Sequence, residues 1–202
     1  MGRSHAPSNR SRGDVADKRA ALLDAALELF ARDGLQNVST AAIAEAAGVA
    51  SGTLFVYFET KQELINELYL EVVGQYTDVV TAAVDPASSR DARFRDYWYA
   101  LARWHLNHRA AANVMLQFEA SSALTPETEA RKDAMEDEMV ATHFPDADLD
   151  RKGPLYRHVV HAMTAGPIRS LAHMREKGAV EITDELLEQT FTRVKRALLP
   201  EG

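Results

Sequence analysis

Apolar residues recur along this chain at three- and four-residue spacing, and nowhere in the strict alternation of a half-buried strand. The pattern therefore predicts an all-α protein. Leu22, Ala26, Leu29 and Phe30 form one stripe between Asp14 and Arg32, and Gly34 closes that helix. A short helix follows Ser39, a strong N-cap residue, with Ile43, Ala46 and Ala47 on one face and Gly48 as its stop. Residues 51–58 make a second short helix: Leu54 and Phe58 point inward, while Ser51, Gly52, Thr53, Val56 and Tyr57 face outward. Thr60-Lys61-Gln62-Glu63 is a capping-box pattern, and it opens a long helix over 60–83 whose apolar positions are Leu64, Leu68, Val72, Tyr76 and Val80. Asp85-Pro86-Ala87-Ser88-Ser89 breaks the pattern. Further helices are predicted at about 90–109, 111–123, 126–142, 153–177 and 183–199, two of them started by Thr125-Pro126-Glu127 and Thr183-Asp184-Glu185. The stretch 144–150 is an acidic loop.

Two short helices joined by a glycine turn, with a third beginning at once, read as a helix-turn-helix. The small side chains on the outer face of 51–58 would let that helix approach a groove, where hydroxyls and backbone N–H groups reach base edges or phosphates. Lys61 is unusual. A cation in a first helical turn opposes the macrodipole by roughly 0.3–1 kcal/mol, which makes sense if an anion such as a DNA phosphate docks there. A solvated surface lysine is the plain alternative.

The runs Ile43-Ala44, Ala47-Gly48-Val49, Gly52-Thr53-Leu54, Tyr57-Phe58 and Lys61 through Leu64 resemble, in order and spacing, the TetR family of bacterial transcriptional regulators. The resemblance is specific over about residues 18–70. It implies that Ser39 and Thr40 hold phosphates, that Ser51, Gly52 and Thr53 face bases, and that Tyr57 and Lys61 clamp the DNA backbone. Three positions depart from the family pattern: Ala50 replaces the usual serine cap, Ala41 a longer polar residue, and Phe55 the common tyrosine. Phe55 is accordingly assigned to packing as well as to the DNA surface, and Ser51 is a substitute cap whose hydroxyl, if so used, would leave base reading to Thr53.

Charge changes the picture only after it is divided. The 202 residues carry a formal net charge of −7, yet residues 1–61 hold seven Lys and Arg against seven Asp and Glu. The acidity lies downstream, and a neutral reading head can still bind DNA because charge is screened within about 10 Å. Residues 1–13 read as a disordered basic arm with Arg3, Arg10 and Arg12, residues 14–60 as the DNA-binding domain, and 61–202 as a helical effector-binding and dimerisation domain joined through helix 60–83. An ordinary mobile tail is the alternative for the arm. The N-terminal segment lacks the apolar core of a secretory signal, no apolar run approaches membrane-spanning length, and cysteine is absent. A cytoplasmic protein without membrane contact or cofactor is expected.

In the second domain Phe94, Trp98, Leu101, His105 and His108 share one stripe, with Tyr97 and Trp104 on its flank. Core filling is one reading of this aromatic wall; a pocket is the other, as regulators of this resemblance usually bind a small, largely apolar effector there. Met115, Phe118, Met135, Met139 and His161 complete the candidate set. The pairs His105/His108 and His158/His161 have i, i+3 spacing, but no carboxylate or thiolate stands at ligand spacing, so no metal is expected.

Leu155, Val159, Met163, Leu171 and Met174, then Leu186, Leu187, Phe191, Val194 and Leu198, form two long stripes. The resemblance implies that these helices pair with their symmetry mates in a homodimer, and intramolecular packing is the alternative. A dimer would space two reading helices about 34–36 Å apart, as a palindromic operator requires. Gly166-Pro167 should bend the penultimate helix. The expected function is a ligand-responsive regulator, in the form of a repressor, and not an enzyme. The alternatives are a DNA-binding regulator without an effector, or a helical enzyme using a pocket histidine as base. Against the last, the sequence holds no nucleophile elbow, phosphate loop or paired carboxylates.

Overall fold

The computed structural model describes residues 9–144 and 149–198, and side chains within 15–144 and 159–198. Nine α-helices and no strand occur among the described residues: α1 (Asn9–Asp33), α2 (Thr40–Ala46), α3 (Ser51–Tyr57), α4 (Lys61–Ala83), α5 (Arg90–Asn107), α6 (Arg109–Glu119), α7 (Pro126–His143), α8 (Leu149–Glu176) and α9 (Asp184–Leu198). Their starts lie where local capping chemistry puts them. Oγ of Ser39 accepts from the Ala42 amide at 3.1 Å, and Oγ1 of Thr60 accepts from the Glu63 amide at 3.0 Å. Glu63 reaches back to the Glu59 amide at 2.6 Å, which completes the box one residue earlier than Thr60. Thr125 and Thr183 cap α7 and α9 in the same way through the amides of Thr128 and Leu186.

Gly48 ends α2 with φ +69°, its amide bonded to the Glu45 carbonyl and the Val49 amide to the Ala44 carbonyl. That is a Schellman closure, and it turns the chain within two residues. Helix α1 begins at Asn9, so residues 9–13, assigned to the arm from sequence, are helical; the rest of the arm lies outside the described residues. Helix α8 runs through Gly166-Pro167 without ending.

The described residues divide by contact into two units. One comprises those up to Val72 together with Ala110–Glu129; the other comprises Val73–Arg109 together with those from Ala130 onward. This partition differs from the split at residue 60 drawn from sequence, since it groups α6 and the first half of α4 with the helix-turn-helix. The core of the first unit is Leu22, Leu23, Ala26, Phe30, Ile43, Leu54, Phe58, Leu64 and Leu68, all essentially without exposure. The second unit is centred on α5, packed against α8 and α9, with Trp98, Trp104, Leu101 and Ile168 buried.

Candidate nucleic-acid interface

Helices α2 and α3 meet at 99°, within the range of a helix-turn-helix. Only Leu54 and Phe58 anchor α3 inward. Ser51, Gly52, Phe55 and Val56 are exposed, and Thr53 and Tyr57 are half-buried. Ala50 occupies the N-cap position without a side-chain bond, and Ser51 does not replace it: its hydroxyl has no partner among the described residues. The Ser51 hydroxyl therefore stays available beside Thr53. Phe55, 51% exposed, is a surface residue and not a packing one.

Thr40 is half-buried at the first turn of α2, and the Ser39 hydroxyl already accepts the Ala42 amide, so its proton is what remains to donate to a phosphate. Lys61 is held from within. Its Nζ donates to the Leu35 carbonyl at 2.8 Å and stands 5.7 Å from the centre of the Phe30 ring, and burial pushes its pKa down. One ammonium proton is thus committed to the loop between α1 and α2.

Three further side chains, Arg19, Gln117 and Asn113, set the reading head and were not foreseen from sequence. Arg19 of α1 pairs with Glu67 of α4 at 2.8 Å and lies over the Phe58 ring at 5.4 Å. Gln117 of α6 donates to the Phe30 carbonyl at 2.9 Å and accepts from the Leu35 amide at 3.1 Å, while Asn113 donates to the Ala31 carbonyl at 3.0 Å. The Asn113 amide thus satisfies a carbonyl in the last turn of α1, and Gln117 adds a second donor to the Phe30 carbonyl, which already accepts from the Gly34 amide at 3.0 Å. The signal in the sequence is the Asn113/Gln117 pair at i, i+4 spacing, the two polar residues between the charged ends Arg109 and Glu119 of α6.

In the second unit the aromatic residues of α5 gather as one wall, except at the end of the helix. Phe94, Trp98, Leu101 and His105 are buried, with the Phe191 ring 5.9 Å from that of Phe94 and 5.7 Å from that of Trp98. His108 does not join them. It is the exposed C-cap of α5, stacked on Trp104 at 5.7 Å, because the helix ends at Asn107. Met139 is buried, and Met135 and His161 are half-buried. Met115 and Phe118 belong to the first unit, where Phe118 meets Tyr69 edge-on at 5.0 Å.

On the flank of that stripe the hydroxyls of Tyr76 and Tyr97 lie 3.3 Å apart, with Trp104 edge-on to Tyr76. Burial drives the Tyr76 pKa well above its ordinary value, so this hydroxyl stays protonated. Burial, together with the Arg169 and His161 charges, lowers His105 to about 4, and the imidazole is neutral at pH 7. Its Nδ1 and the indole nitrogens of Trp98 and Trp104 are buried without a hydrogen-bond partner.

Among the residues assigned to a dimer face, Val159 and Met174 are exposed at 43% and 42%, and Met163, Leu171, Leu187 and Leu198 are half-buried. Phe191 and Val194 are buried within the single chain and belong to its core. Leu155 and His158 have side chains outside the described set. Among the described residues no cluster of three His, Cys, Asp or Glu side chains could hold a metal, and no single helix is long and apolar enough to cross a membrane.

Residues 22–68 match the family model described as bacterial regulatory proteins, tetR family. The HTH-type transcriptional repressor KstR2 of Mycobacterium tuberculosis is 31% identical over 116 residues, 55% of this chain and 56% of that protein. The chain thus spans just over half the length of the curated relatives it matches first. A TetR family transcription regulator from Marinobacter aquaeolei VT8 superposes with a TM-score of 0.79 at 25% identity, over 92% of this chain and 97% of that one. A putative TetR family regulator from Vibrio parahaemolyticus gives 0.69 at 27% identity, over 89% and 97%. These matches reach the reading head by sequence and both units by fold: residues 22–68 belong to the tetR family of bacterial regulatory proteins, and the described fold is similar to that of solved TetR family regulators.

Proposed function

We propose that this protein is a homodimeric, ligand-responsive transcriptional repressor, acting in the bacterial cytoplasm, that binds a palindromic DNA operator through α3 and releases it when a small, largely apolar effector binds the α5-centred unit. The carrying observation is α3 itself: anchored by Leu54 and Phe58, set at 99° to a capped α2, and open along its outer face. Ser51, Gly52 and Thr53 would face bases, and Ser39, Thr40, Tyr57 and Lys61 the phosphates. The unpartnered indole and imidazole nitrogens of Trp98, Trp104 and His105 support an effector that is mostly apolar with a few polar atoms. Such an effector acts only through its preference for one conformation, and a shift from 1:99 to 99:1 needs about 5.5 kcal/mol of that preference.

A regulator without an effector is the second reading, favoured by the closeness with which the Tyr99 and Phe191 rings cover Trp98, at 5.3 and 5.7 Å. An enzymatic role for His105 fits poorly. A base near pKa 4 is mostly too weak to take a proton at neutral pH.

Fluorescence anisotropy with duplexes from the DNA flanking this protein's own gene tests the proposal. A two-fold symmetric site bound by a dimer, with affinity falling steeply as salt rises, is the expected result. Equal affinity for every duplex would sink the operator reading.

A further inference from the structure

The outer pole of α3 is apolar and bare. With about 100° of rotation per residue, Val56 and Gly52 stand roughly opposite the edge that Leu54 and Phe58 bury. Val56 is 79% exposed, and a Cβ built on Gly52 meets no atom within 4 Å. Phe55 lies open next to Val56, so two consecutive large apolar side chains face outward on one seven-residue helix. The other exposed large apolar residues among those described are scattered singly, which is ordinary; an adjacent pair is not.

What α3 lacks is equally informative. Ser51 to Tyr57 contains no Arg, Lys, Asn, Gln, Asp or Glu, the side chains that read base edges through strong or paired hydrogen bonds. The hydroxyls of Ser51, Thr53 and Tyr57 are its only polar side-chain groups. A major-groove edge offers one apolar feature to such a helix, the C5-methyl of thymine.

We propose that Val56 is a specificity-determining residue that reads a thymine C5-methyl in each operator half-site, with Gly52 leaving room one turn earlier for the base-pair edge to approach. The inference rests on α3 being the DNA-reading helix. Removing one buried methyl contact costs about fourfold in affinity, and loss at both half-sites roughly fifteenfold.

The test begins with selection of preferred duplexes from a random pool by the full-length protein. In the best duplex each thymine is then replaced, one symmetric pair at a time, by deoxyuridine, which removes only the methyl. The expected result is a ten- to twentyfold loss at one symmetric pair for the wild-type protein. Val56→Ala should bind the thymine duplex with that same loss and be indifferent to deoxyuridine there. Its thermal unfolding should match the wild type, because the side chain is exposed. If the wild type tolerates deoxyuridine everywhere, or if Val56→Ala keeps the full penalty, the methyl reading is wrong while DNA binding stands. If no duplex is enriched, α3 is not a reading helix and the inference falls with it.

Discussion

The ammonium of Lys61, the first residue of α4, is bonded to the Leu35 carbonyl at 2.8 Å, so one side chain ties the opening of α4 to the loop that precedes α2. Lys61→Met keeps the aliphatic stem over Phe30 and removes the charge. Stability should fall by about 1–2 kcal/mol, around the lower end of the range for a hydrogen bond to a charged group, since the site is only partly buried. If the remaining ammonium protons also meet a phosphate, the slope of log affinity against log salt becomes shallower by about 0.9 per half-site. Chemical denaturation and a salt titration separate the two roles. Lower stability with an unchanged slope assigns Lys61 to structure alone.

Gly48 and Gly52 make a natural pair of controls. Added side chains at both positions meet open space, but only Gly48 has a positive φ. Gly48→Ala should therefore cost about 1–2 kcal/mol through the left-handed backbone alone, and loosen the angle between α2 and α3. Gly52→Ala should unfold at or above the wild-type temperature, because alanine is the better helix former. Its effect should appear in DNA affinity. Equal destabilisation by the two substitutions would contradict this account.

His105 gives the second unit an acid-sensitive element. Its folded pKa is lowered to about 4 by burial and by Arg169 and His161, below the unfolded value near 6.5. Between those values the unfolded chain binds more protons, so stability falls as pH drops through that window, by at most about 3 kcal/mol from this residue. Denaturation curves at pH 7, 5.5 and 4.5 should show that loss. His105→Phe should show a smaller one; an identical pH slope in the variant would remove His105 as the cause.

The proposed dimer face and the core can be told apart on adjacent helices. Val159 and Met174 are exposed, and Val159→Glu or Met174→Glu should shift the sedimentation coefficient toward monomer while leaving the melting transition of the monomer intact. Phe191 is buried against Phe94, Trp98 and Tyr99, and Phe191→Ala should cost about 3–5 kcal/mol at any protein concentration. Charged variants that remain dimeric would place the interface elsewhere.

Helix starts were legible because caps are local: Ser39, Thr60, Thr125 and Thr183 each bond an amide within three residues. The inward pair Leu54 and Phe58 was legible for the same reason, as one turn separates them. Partners beyond a helix were not. Phe191 and Val194 sit on a stripe that looks identical whether it faces the same chain or a second copy, and only the packing of α9 onto α5 decides it. His108 left its stripe because α5 ends at Asn107, two residues before the predicted end. Lys61 shows the limit most clearly: its position against the macrodipole pointed to an anion, and the nearest acceptor is a backbone carbonyl 26 residues away in the chain.

Helix α3 is a rod of about 10 Å held by two side chains. Almost everything that keeps it folded lies on one edge, and the residues that would meet DNA contribute little to that edge. Recognition and folding are thereby separable. Random replacement at positions 51, 52, 55 and 56 should yield mostly folded proteins, each free to prefer a different operator, so this surface can drift toward new target genes without first passing through unstable intermediates.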